Sequence, residues 1–132
     1  MGMKMRVAVP STDDKGLESE ISSHFGRAQY YTLVDIENGE ITGYKVVRCP
    51  FSEHGPGDIP NFLRSLGVNV IIAYGMGRRA QDFFKSMGIE VVTGAYGKVK
   101  DVIRAFMAGS LSLDKHWSES EEFKHKHRSC SD

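Results

Sequence analysis

Seven consecutive residues, Val68-Asn69-Val70-Ile71-Ile72-Ala73-Tyr74, contain only one strongly polar side chain. A run that does not alternate has no wet face, so it predicts a strand covered on both sides, in the middle of a sheet flanked by helices. Gly75-Met76-Gly77 then turns the chain, and Arg78-Arg79-Ala80 opens a helix. That helix presents Ala80, Phe83, Phe84 and Met87 along one face before Gly88 closes it. A strand–glycine–helix junction suits an anion, because the first helical N–H groups lack partners and the helix dipole adds to their field. Arg78 and Arg79 put formal positive charge at the same place.

The rest of the chain builds around this unit. Lys4 to Pro10 reads as a first strand, and Pro10 to Ser23 as a polar loop ending in His24-Phe25-Gly26-Arg27. Tyr30 to Glu37 and Glu40 to Arg48 are strands two and three, joined by Asn38-Gly39, a pair that accepts the positive φ of a tight hairpin. Cys49 to Gly57 is a loop by its Pro and Gly content, and Asp58 is expected to cap the helix that follows, with Pro60 in its first turn. Ile59, Phe62, Leu63 and Leu66 form that helix's apolar stripe, ended by Gly67. Ile89 to Thr93 is a last strand. Gly94-Ala95-Tyr96-Gly97 turns into a third helix with Val99, Val102, Ile103 and Phe106 inward and Gly109 at its end.

This alternation predicts one α/β domain over 1–109, three layers thick, with a mixed five-stranded sheet. From Ser110 the composition shifts to Ser, Lys, Glu and His, so 110–132 reads as a polar, disordered tail containing His and Cys. If strands one, three, four and five run parallel and strand two opposes them, four loops reach the carboxyl edge of the sheet. Ligands of open α/β sheets bind outside that edge. The candidate binding residues are therefore His24, Phe25, Gly26, Arg27, His54, Gly55, Gly57, Gly75, Met76, Gly77, Arg78 and Arg79. Candidate metal donors are His24 and His54, then Cys49, which reads first as a packed thiol, and the tail's His125, His127 and Cys130. Three donors on a polar tail fall short of the four of a structural zinc site, and a returning lid remains an alternative to a solvated tail.

Lys plus Arg and Asp plus Glu are both 17, so no basic surface is offered to nucleic acid. No apolar run reaches the roughly 20 residues of a membrane span. Two widely separated cysteines fit reduced thiols, and a cytoplasmic location is expected. The carboxylates Asp13, Asp14, Asp35 and Asp58 do not suggest the cluster that two-metal nuclease chemistry requires. A small-anion or nucleotide-binding regulator is the alternative use of the glycine-rich edge, although Gly75-Met76-Gly77 lacks the third glycine of a dinucleotide fingerprint and the lysine of a P-loop.

His24-Phe25-Gly26-Arg27-Ala28, His54-Gly55-Pro56-Gly57, Gly75-Met76-Gly77-Arg78-Arg79-Ala80 and Gly88-Ile89-Glu90-Val91-Val92, in that order, resemble the dinitrogenase iron–molybdenum cofactor biosynthesis family, the nitrogenase accessory-factor-like small carrier proteins. The resemblance runs from about Met3 to Gly109. It implies a ribonuclease H-like fold with strand order 3-2-1-4-5 and strand two antiparallel. It also implies a non-catalytic carrier of an iron–sulfur or iron–molybdenum-type cluster in cofactor assembly or storage, serving cluster donor and acceptor proteins as a monomer or weak homodimer. The matching positions are His24, Arg27, His54 and the turn from Gly75 to Arg79. Related sequences often carry a cysteine after the first-loop arginine, where this chain has Ala28. A role in nitrogen fixation does not follow from the resemblance.

Overall fold

Asn38 at φ 55° and Gly39 at φ 78° close the hairpin between β2 (Tyr30–Glu37) and β3 (Glu40–Arg48). The computed structural model describes residues 4–51, 55 and 57–114. β1 (Lys4–Ser11) lies antiparallel to β2, and β4 (Val70–Ile72) and β5 (Glu90–Val92) add on in parallel, giving a five-stranded sheet ordered β3-β2-β1-β4-β5. This is the order that the family resemblance implies.

Helices α1 (Asp58–Ser65) and α2 (Arg78–Ser86) cover one face of the sheet, where Ala8, Leu33 and Ile71 meet Ile59, Leu63 and Phe84. Helix α3 (Val99–Ala108) covers the other, where Val7, Val34, Val70 and Ile72 meet Val99, Val102 and Ile103. Residues 31–34 of β2 are therefore all buried, as are all three residues of β4. Between Asp35 and Ile36 the β2–β3 register shifts: Asp35 faces Gly43 while Ile36 faces Ile41. Thr42 is left without an opposite number, and its hydroxyl turns back to the Asp35 carbonyl at 3.4 Å.

Four details differ from the sequence-based reading. The helix-capping position before α1 is held by Gly57 with no side-chain bond, and the Asp58 carboxylate instead accepts from the Gly55 N–H at 2.8 Å. Gly75 and Gly77 are absent from the positive-φ residues, so this turn does not need glycine for its backbone conformation. β4 and β5 are shorter than expected, three residues each, although backbone bonds between the two segments continue past them, with Ala73 N donating to the Val92 carbonyl at 2.9 Å and Gly94 N to the Tyr74 carbonyl at 2.8 Å. Last, the first five residues of the 110–132 segment expected as a disordered tail are anchored, while 115–132 lie outside the described residues. Ser110 N bonds to the Ala105 carbonyl, Leu111 packs on the α3-side core, and Asp114 N donates to the Gly94 carbonyl at 2.7 Å.

Candidate functional site at the carboxyl edge

The loop after β1 does not wander over the surface. Ile21 bridges back to Ser11, and the chain then makes a single 3-10 turn at Phe25–Arg27. His24 caps that turn: its Nδ1 accepts the Gly26 N–H at 3.1 Å. A backbone N–H can donate only to an unprotonated nitrogen, so a neutral His24 carries its proton on Nε2, which is buried. Ligating a metal through Nε2 would move that proton to Nδ1 and break the cap. His24 is thus arranged as the cap of this turn more than as a metal ligand.

Phe25 drives the turn into the core. Its ring packs edge-on against Phe84 at 5.5 Å and lies 6.0 Å from Tyr31. Tyr31 donates its hydroxyl to the Phe25 carbonyl at 3.4 Å, and burial holds this phenol far above its ordinary pKa, with the nearby Cys49 adding to the shift. The backbone N–H of Phe25 bonds to the Gly75 carbonyl at 3.0 Å, which stitches the first loop to the turn that starts α2. Ile21 N bonds to the Gly97 carbonyl at 3.0 Å, stitching the same loop to the turn after β5. Three of the four expected loops therefore meet. From the fourth, Gly57 packs against the Phe83 ring of α2, where an added Cβ would sit 3.2 Å from the ring.

The sequence-derived residues divide by environment. Arg27, Arg78 and Arg79 are exposed. Helix α2 has no side-chain cap and no acidic residue in its first turn, so its leading N–H groups and two arginines form one cationic end. Gly77 is half-buried with open space where a Cβ would be. Met76 is fully buried in the core, and the Gln81 side chain fixes its carbonyl at 2.9 Å. Phe25 and Met76 can therefore shape the edge but present no side chain to a ligand there. Ala28, which follows the first-loop arginine, is buried in the same core. Cys49 is half-buried, packs on that core, and directs its thiol to the Phe51 carbonyl at 3.8 Å. His54, His125, His127 and Cys130 lie outside the described residues. Among the described residues no group of three or more His, Cys, Asp or Glu could hold a metal ion.

Beside this edge lies a hollow of about 320 Å³ that sequence reasoning did not foresee, lined by Glu20, Ser23, Tyr74, Tyr96, Gly97 and Asp114. Tyr74 donates its hydroxyl to Asp114 Oδ2 at 3.1 Å, and its pKa is raised by burial first and by that carboxylate second. The hint in the sequence was Gly94, which takes φ 93° and whose missing side chain admits the Asp114 backbone. Nothing in the polar stretch around Asp114 marked it as the partner.

A family model described as "Dinitrogenase iron-molybdenum cofactor" matches residues 3–109. An uncharacterized protein of Methanocaldococcus jannaschii, MJ0580, is 31% identical over 110 residues, covering 81% of this chain and 89% of that protein. Among solved structures, PH0822 superposes with a TM-score of 0.81 at 50% identity, over 86% of this chain and 99% of the other. The apo form of the orange protein (ORP) from Desulfovibrio gigas shares the fold, with a TM-score of 0.70 at 22% identity over 84% and 93% of the two chains.

Proposed function

The chain belongs to the dinitrogenase iron–molybdenum cofactor family, and on that footing we propose that it binds and carries an anionic iron–sulfur-type metallocluster without converting it. The observation that carries this reading is the Phe25–Gly75 backbone bond. It joins the loop bearing His24 and Arg27 to the uncapped, arginine-led start of α2.

Such a cluster is cargo, rich in sulfide and negative in charge. Helix N–H groups and guanidinium groups hold anions through charge-assisted hydrogen bonds, which are about twice as strong as neutral ones. The donor set of the described residues suits that mode of holding. It has cations and uncapped helix amides, and no cage of metal-binding side chains. Cargo held by its outer sulfides can be passed on without breaking several metal–protein bonds, which is what a carrier requires. The exposed iron of a cluster could additionally take His54, Cys49 or the tail donors His125, His127 and Cys130 as ligands.

The test is anaerobic reconstitution of the full chain with iron and sulfide. A brown protein with charge-transfer absorption is expected. The double variant Arg78→Ala/Arg79→Ala should bind the cluster at least roughly tenfold more weakly, the factor that follows from losing about 1.4 kcal/mol. Equal loading of parent and variant would remove α2 from the site. No loading at all, together with strong thermal stabilisation by nucleotides, would replace the carrier by an anion- or nucleotide-binding regulator.

A further inference from the structure

Three consecutive carbonyls lead into α2, and each is occupied. Gly75 accepts from the Phe25 N–H at 3.0 Å, Met76 from the Gln81 side-chain amide at 2.9 Å, and Gly77 from the Gln81 backbone N–H at 3.2 Å. A carbonyl oxygen only accepts, so the part of Gln81 that faces Met76 is its NH2 group. The peptides are trans, and a trans peptide directs its N–H opposite to its carbonyl. The N–H groups of Met76, Gly77 and Arg78 therefore point away from the groups that hold these carbonyls. Among the described residues none of the three has an acceptor. A glutamine in the first turn of a helix can reach back with its oxygen and consume a leading N–H. The half-buried Gln81 does the reverse, donating to a carbonyl and leaving the N–H groups open.

We infer that Gln81 is a positioning residue of the carrier edge: by holding the Met76 carbonyl it keeps the Gly77 N–H turned toward the anion. The inference rests on the carrier reading, which puts a negative, sulfide-rich cargo at this helix start. Half a turn of the Met76–Gly77 peptide would exchange its two groups and present a carbonyl oxygen, partly negative, where the N–H had been. Gly77 offers no steric resistance to that rotation, since it has no side chain and open space where a Cβ would be. A partner must therefore fix the orientation. Phe25 secures the peptide before it, and the Gln81 backbone N–H secures the one after it. The peptide between them depends on the Gln81 side chain. Arg78 and Arg79 are exposed and supply charge without direction, whereas a fixed backbone donor supplies direction.

The full-length chain is loaded anaerobically with iron and sulfide as the parent, Gln81→Met and Gln81→Lys. Methionine keeps the length and loses the donor, while lysine keeps a donor for the Met76 carbonyl. At equal folded fraction, Gln81→Met should load about tenfold more weakly than the parent. Gln81→Lys should load within about threefold of the parent, also in 1 M salt, where a free charge is screened beyond about 3 Å. Hydrogen exchange at the Gly77 amide is a readout that stability alone does not move. It should be fast in the metal-free parent, slowed by loading in the parent and in Gln81→Lys, and not slowed in Gln81→Met. Gln81→Leu, equally without a donor, replaces the methionine variant if that one does not fold. Parent-like loading without the donor, equal weakness of the donor-free and lysine variants, or a Gly77 amide already protected in the metal-free parent would overturn the role of Gln81 and leave the carrier reading standing. A parent that takes up no cluster would instead overturn the carrier reading, and this inference with it.

Discussion

Replacing Gly94 by alanine strikes the contact that draws the end of α3 back over the sheet. Gly94 adopts φ 93°, and a Cβ built there would lie 2.6 Å from the Asp114 carbonyl oxygen and 3.1 Å from its nitrogen. Both neighbours are backbone atoms, so no side chain can swing away to relieve the clash. An L-residue in left-handed conformation costs roughly 1–2 kcal/mol by itself. Relieving the clash requires lifting residues 111–114. That breaks the Asp114 N to Gly94 carbonyl bond and the Tyr74–Asp114 bond, at about 0.5–1.5 kcal/mol each. The total is roughly 2–5 kcal/mol. Gly97 is the internal control, because it has φ 106° with nothing within 4 Å of its missing Cβ. Gly97→Ala should cost only the conformational part, about 1–2 kcal/mol. Urea denaturation of the two variants gives the difference, about 1–3 kcal/mol, as the contribution of the returning segment. Hydrogen exchange should show the Asp114 amide unprotected in Gly94→Ala alone. Equal destabilisation by the two substitutions, with the Asp114 amide still protected, would refute this account.

Two further outcomes follow from the same structure. Tyr74 has its pKa raised above 10.0 by burial and by Asp114, so the protonated phenol is the form the fold prefers. Its contribution is complete below the ordinary phenol pKa and is lost as pH rises through the higher folded value. The segment should detach at alkaline pH, followed by tyrosinate absorbance together with Asp114 amide exchange, and Tyr74→Phe should abolish that coupling. Met76→Ala should destabilise by about 2–5 kcal/mol in denaturation experiments, because a fully buried side chain leaves a cavity. Its cluster loading should fall only as far as the folded fraction does, which distinguishes a core residue from a ligand.

Local pattern explains what could be read in advance. The unbroken apolar run at Val70–Ile72 and the Asn38-Gly39 pair each have one economical structural solution, and together with the helical stripes they define a three-layer sheet with its loops on one edge. Strand order was not contained in those local signals and came from the family resemblance. What escaped notice depends on pairs distant in sequence. Tyr74 and Asp114 are 40 residues apart, and neither is unusual in its own neighbourhood. His24 was legible as a residue of the loop at the carboxyl edge, but its role as a cap depends on the 3-10 turn that Phe25 creates by entering the core. Glycine count was a poor guide to necessity: Gly75 and Gly77 drew attention, whereas the close backbone approach occurs at Gly94.

The shift at Thr42 also bears on what the molecule does at high concentration. β3 is the longest strand of the sheet and forms one of its outer borders, a border onto which a neighbouring molecule could in principle add its own strand. A kink in that border interrupts the regular spacing of outward-pointing amides and carbonyls that such stacking needs. Glu40, Lys45 and Arg48 place charges along it as well. Straightening the border by deleting Thr42 would extend the regular ladder and favour fibrillar growth.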